Sequence, residues 1–176
     1  MAFLRLCEEL RLARYRDDLA AILCKRLPDN DFFRGFRGKW RGREALHVSA
    51  ILCGGKGVGK SVCALWACLD ACRGNGGFDF LDLSEFADLW ALQDRERIAA
   101  LKRVRLLVVD EVDEVVDVKG PAYALFKRVV NARYRNKQPT ILCTNDSIED
   151  LREHIGEPVV DRFALRLGSA AESQRK

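Results

Sequence analysis

Three short stretches carry residue types that could do phosphate chemistry. The first, Cys53-Gly54-Gly55-Lys56-Gly57-Val58-Gly59-Lys60-Ser61, fits the pattern G-x-x-x-x-G-K-[ST] without a mismatch. Its glycines free backbone N–H groups to point at phosphate oxygens at the start of a helix that opens at Val62, so residues 54–62 form the candidate cofactor-binding loop. Lys60 is placed to reach the β- and γ-phosphates of a nucleoside triphosphate, and the Ser61 hydroxyl to complete a Mg²⁺ shell. The second stretch is the apolar run Leu106-Leu107-Val108-Val109 ending in Asp110-Glu111, about fifty residues further on. There Asp110 can hold Mg²⁺ through water and Glu111 can orient and polarise an attacking water. In the third, Thr144 and Asn145 follow an apolar run from Thr140 to Cys143, where Asn145 could hydrogen-bond a γ-phosphate or that water. Asn145 also reads as a turn residue ahead of Ser147, and Arg162, taken alone, as a surface arginine.

These groups need a scaffold that brings strand ends together, and the sequence supplies one. A buried strand is expected over Leu46–Cys53, a helix over Val62–Cys72, a second strand over Phe78–Leu83 and a helix opening at Ser84 as N-cap. A short charged helix follows within Asp94–Arg103, then the strand before Asp110, a helix from Pro121 to about Arg135, the strand Thr140–Cys143 and a short helix from Ser147. Strands alternating with helices predict an α/β fold, a parallel sheet flanked by helices on both faces with ligands at the strands' carboxyl ends. Phe163–Leu167 is available for a fifth strand, so any lid domain is expected to be short or absent. Asp113, Glu114 and Asp117 read as a solvated loop, and Cys63, Cys68 and Cys72 as small core residues rather than zinc ligands.

Three parts are expected: a helical, basic and aromatic segment over residues 1–45, the α/β core over 46–167, and a flexible tail over 168–176. The net charge of +4 sits in the first part. Residues 1–45 hold eleven Lys/Arg against seven Asp/Glu, whereas 46–176 hold nineteen of each, which points the N-terminal quarter towards an anionic partner. Phe3 to Leu23 has helical apolar spacing, as one bent helix or two short ones ending before Pro28, and packs either on the core or on a partner. Asp31–Arg43 interleaves five basic residues with Phe32, Phe33, Phe36 and Trp40. It reads either as a single-strand-binding segment, cations on phosphates and aromatics on bases, or as a linker whose aromatics cover the adenine pocket or the core edge. Seven cysteines without paired spacing fit a reducing cytoplasm, and no uncharged stretch is long enough to span a membrane.

The order of these pieces resembles the AAA+ ATPases of the DnaC/IstB type, replicative-helicase loaders and transposition helper ATPases, over about Leu46 to Leu165. The residues that carry it are 54–61 and 106–111, which many P-loop proteins share, together with Val-Asn-Ala-Arg-Tyr at 130–134, Pro-Thr-Ile-Leu-Cys-Thr-Asn at 139–145 and Ile-Gly-Glu-Pro-Val-Val-Asp-Arg at 155–162. The resemblance implies ATP and Mg²⁺ as ligands, Asn145 as sensor 1, Arg162 as an arginine finger entering a neighbouring subunit's ATP site, and Arg133 as a structural arginine. It places Ser84–Arg103 where initiator-type members carry an extra helix lining a single-stranded DNA channel. The expected function is an ATP-hydrolysing factor that forms a homo-oligomer on single-stranded DNA and helps load a replicative helicase. Alternatives are a transposition helper, which would engage a transposase, and a nucleotide-dependent switch with negligible hydrolysis. A P-loop small-molecule kinase is disfavoured by the tandem Asp110-Glu111 and by the lack of an arginine-rich lid insertion.

Overall fold

Apolar runs separated by charged or glycine-bearing turns become five strands: β1 (Ala50–Cys53), β2 (Phe78–Asp82), β3 (Leu106–Asp110), β4 (Thr140–Thr144) and β5 (Leu165–Leu167). The computed structural model describes residues 15–24, 27–40, 48–73, 77–114 and 120–168. All strands pair in parallel, in the order β2-β3-β4-β1-β5. Every residue of the three central strands β3, β4 and β1 is buried, as a sheet covered on both faces requires, while the edge strands β2 and β5 are partly open.

Because strand side chains alternate, each central strand feeds two cores. Ala50, Leu52, Leu106, Val108, Ile141 and Cys143 face a cluster built with α1 (Arg16–Leu23), α2 (Asp31–Trp40) and α3 (Lys60–Arg73). Ile51, Cys53, Leu107, Val109 and Leu142 face the other cluster, with α4 (Glu85–Ala91), α5 (Arg95–Arg103), α6 (Pro121–Arg135), α7 (Ile148–Ile155) and α8 (Glu157–Val160). The chain is therefore α/β with helices on both faces, and β5 pairs with β1 through Ala50↔Leu165. Among the described residues no helix is long and apolar enough to cross a membrane.

Several expectations are sharpened or corrected. The first strand starts at Ala50, and the expected start at Leu46 lies outside the described residues, as do residues 1–14 and the tail beyond Gly168. The basic and aromatic stretch is not an open stacking platform. Asp31–Trp40 is a helix whose Phe33, Phe36 and Trp40, at i, i+3 and i+7, point into the core, while Phe32 packs partly buried against it. Phe33 and Phe36 each meet Trp66 of α3 edge-on, so these rings hold α2 against the sheet layer and are unavailable to bases. Ser84 occupies the expected N-cap position without a side-chain cap; the Glu85 carboxylate instead accepts from the Asp82 N–H at 2.8 Å.

Arg133, wholly buried on α6, ties the strand ends opposite the phosphate loop. Its Nε donates to Thr140 Oγ1 at 3.0 Å, Nη1 to the Leu101 and Val104 carbonyls at 2.6 and 2.8 Å, and Nη2 to the Pro139 carbonyl at 2.6 Å. Burial pushes its pKa down to about 10, partly opposed by Asp79, so it stays charged at neutral pH. Arg133→Leu takes the guanidinium donors from the Leu101 and Val104 carbonyls, leaves the Pro139 carbonyl with only the Leu107 N–H, and is expected to destabilise the fold by about 3–5 kcal/mol in urea titrations. Arg133→Lys should recover little, because one ammonium cannot reach a fork of four acceptors.

Candidate active site

The phosphate loop leaves the carboxyl end of β1, where the Gly54 N–H donates to the Thr144 carbonyl at 3.2 Å, and runs into α3 at Lys60. Gly57 (φ +83°) and Gly59 (φ +99°) take left-handed backbone that side chains resist, which is why the turn is built of glycine. A second support comes from α2: the Asn30 side chain accepts from the Phe33 N–H at 2.8 Å while its Nδ2 donates to the Val58 carbonyl at 3.4 Å. Asn30 thus caps a helix and holds the loop at once.

Lys60 is buried beneath this loop. Its ammonium donates to the Gly54 carbonyl, to the Gly55 carbonyl at 3.0 Å and to Asn145 Oδ1 at 2.9 Å. Beside it, Ser61 Oγ donates to Asp110 Oδ2 at 3.0 Å. Two hard oxygen donors meeting beside a phosphate loop suit Mg²⁺, which takes one or two protein ligands and fills its remaining positions with water and phosphate oxygens. The other carboxylate oxygen, Asp110 Oδ1, accepts from the Glu111 N–H at 3.0 Å. Glu111 has φ +54°, a strained conformation for this residue type, located at the end of β3.

Asp113 corrects the expectation of a solvated loop. Its two oxygens accept from the Asn145 backbone N–H at 2.8 Å and from Asn145 Nδ2 at 2.7 Å, which turns Asn145 Oδ1 towards Lys60. Burial raises the Asp113 pKa, but these hydrogen bonds outweigh it and leave the carboxyl below its usual value of 3.8. A lowered folded pKa means that its contribution is complete above the unfolded value and is lost as pH falls through the folded one. Asp113→Ala should therefore lower stability by about 1–3 kcal/mol at neutral pH and free Asn145 to rotate. In acid titrations followed by circular dichroism, the gap between wild type and variant should narrow only below about pH 4.

These groups line a cleft of about 500 Å³ at the carboxyl ends of the strands. It brings together Lys56, Gly57, Gly59, Lys60, Ser61 and Val62 with Asp110, Glu111 and Asn145. Tyr15 and Asp18 of the first helical region, unforeseen in the sequence, also face it, and the Tyr15 hydroxyl donates to Asp110 Oδ2 at 2.6 Å. Arg162 does not line this cleft; it follows α8, with its guanidinium 5.7 Å from the ring centre of Tyr134. Cys63 and Cys143 are buried, burial pushing Cys63 up to about 12 and Cys143 well above its usual value, so both are inert thiols. No group of three or more His, Cys, Asp or Glu able to hold a metal ion occurs among the described residues.

No family model matches the chain. A 70-residue stretch is 34% identical to the replicative helicase loader DnaC of Escherichia coli (strain K12), covering 40% of this chain and 27% of that protein. The match thus spans about a quarter of the length of its curated relative. A solved structure of DnaI superposes with TM-score 0.69 at 20% identity over 87% of this chain and 93% of that one. The replication initiator DnaA bound to AMPPCP and single-stranded DNA gives TM-score 0.69 at 19% identity over 82% of this chain and 48% of that one. The fold is that of AAA+ P-loop domains, and the resemblance to the DnaC type extends to both sequence and architecture.

Proposed function

We propose that this chain is an ATP-binding and ATP-hydrolysing AAA+ module of a helicase-loader-like DNA replication factor, acting in the cytoplasm as a homo-oligomer assembled on single-stranded DNA. The observation that carries the ATPase reading is the pair of contacts joining the phosphate loop to the two neighbouring strand ends, Ser61 to Asp110 and Lys60 to Asn145. In this reading, the loop N–H groups of residues 54–62 bind the phosphates. Lys60 exchanges its loop carbonyls for β- and γ-phosphate oxygens, while Asn145, held by Asp113, stays within reach of the γ-phosphate. Ser61 and Asp110 hold Mg²⁺, which when bound neutralises charge developing on the phosphate oxygens. Glu111 takes the proton of the attacking water, and Arg162 of a neighbouring copy balances charge in the transition state.

For DNA, a second groove of about 500 Å³ between α4, α5 and α6 combines exposed Trp90 with Arg95, Lys102 and Arg128 and includes no acidic residue in its lining. Cations for phosphates beside an aromatic face for a base suit single-stranded DNA, and Trp90, Arg95 and Lys102 fall within Ser84–Arg103, the stretch that the family resemblance aligns with a channel helix. Fluorescence anisotropy tests both halves. Labelled ATP should bind wild type and be lost in Lys60→Ala. A labelled oligonucleotide should bind with strong salt dependence and weaken in an Arg95→Ala/Lys102→Ala/Arg128→Ala variant. ATP binding that survives Lys60→Ala, or oligonucleotide binding indifferent to the triple change, would overturn the corresponding half.

A further inference from the structure

Arg162 and Tyr134 stand apart from the cleft and form a unit of their own. Tyr134, near the end of α6, is 55% exposed, yet its ring lies against the guanidinium of Arg162 from the turn after α8. The nearest carboxylate in sequence, Asp161, is already engaged: Arg166 Nη2 donates to its Oδ1 at 3.2 Å and Arg152 Nη2 approaches the same oxygen at 3.8 Å. Among the described residues Arg162 makes no ion pair, so an aromatic face is its side-chain partner.

The pairing has a physical consequence. An arginine that must act on another molecule's phosphates loses most by being free to rotate or by being neutralised. A carboxylate would hold it still but cancel its charge and impose a hydrogen bond to be broken on docking. A ring face restrains the guanidinium plane while leaving its charge and all five N–H donors available. We propose that Tyr134 is a positioning residue that presents Arg162 to the ATP site of a second copy of this chain. The inference rests on the reading of Arg162 as a residue that acts in trans.

The test is a double-mutant cycle on the full chain, with ATP turnover at saturating protein and the ATP dissociation constant measured for each member. Tyr134→Leu should lower kcat by about two- to five-fold with ATP affinity unchanged, and Tyr134→Phe, which keeps the ring, should match wild type. In an Arg162→Ala background Tyr134→Leu should add nothing. Independently of turnover, the Arg162 side-chain N–H and Cδ–H resonances should carry a ring-current displacement that persists in Tyr134→Phe and disappears in Tyr134→Leu. A silent Tyr134→Leu beside a damaging Arg162→Ala, an equal loss in both backgrounds, or ring-current displacements absent from wild type would overturn the role of Tyr134 alone. An Arg162→Ala variant with undiminished turnover would overturn that role and the trans reading together.

Discussion

Arg162→Ala is expected to reduce ATP turnover per subunit by about 10³- to 10⁵-fold, with ATP still bound, the range over which an arginine supplied to a P-loop site acts. The geometry behind this expectation is negative and positive at once. Arg162 does not line the cleft of its own chain, so it is poorly placed to touch the phosphates bound there. It is nevertheless held at the surface, over Tyr134 rather than against an acid. Mixing separates the trans role from a structural one. Subunits carrying Lys60→Ala retain Arg162 but lose the phosphate contact, whereas subunits carrying Arg162→Ala keep an intact loop. Combined, the two inactive proteins should regain turnover at the intact loops of the Arg162→Ala subunits, each completed by Arg162 of a Lys60→Ala neighbour. If the mixture stays as inactive as its components while both variants remain folded, Arg162 does not act across an interface.

Glu111→Gln should lower turnover by about 10²- to 10⁴-fold, the usual contribution of a positioned general base, and leave ATP binding intact. Glutamine keeps the length and hydrogen-bonding reach of the side chain but cannot take a proton. The backbone supports assigning this chemistry to Glu111 rather than to a neighbour. A non-glycine residue at φ +54° immediately after a fully buried strand costs roughly 1–3 kcal/mol, and Asp110 Oδ1 holds it there by accepting its N–H. Single-turnover hydrolysis of radiolabelled ATP measures the chemical step directly. Undiminished hydrolysis in Glu111→Gln would transfer the role to another group.

How much of this was legible beforehand depended on how local the signal was. The phosphate loop is nine consecutive residues, and the carboxylate pair lies at the end of an uninterrupted apolar run, so both could be read along the chain. Asp113 could not be, because its meaning comes from Asn145, 32 positions away just past the end of the next strand, and nothing local separates an orienting carboxylate from a solvated one. Tyr15 is 95 residues from Asp110 and Asn30 is 28 from Val58, and each acquires its role only when a helix docks beside the loop. The stretch from Asp31 teaches a different lesson. Its composition suited nucleic acid, but the spacing of Phe33, Phe36 and Trp40 already described one helical face, and periodicity was the better guide. Arg133 had a similar signal, since it continues the inward stripe of Phe126, Val129 and Val130, where a charged residue must find buried acceptors.

In the proposed function, ATP hydrolysis belongs to an assembly rather than to one chain. Steady-state ATP turnover per subunit, measured across a wide range of protein concentration with and without single-stranded DNA, tests it most directly. The expected rate is close to zero when dilute, climbs as copies associate, and reaches its plateau at lower protein concentration when DNA is present. A rate per subunit independent of concentration and DNA would contradict it, and a negligible flat rate despite firm ATP binding would identify a nucleotide-dependent switch instead.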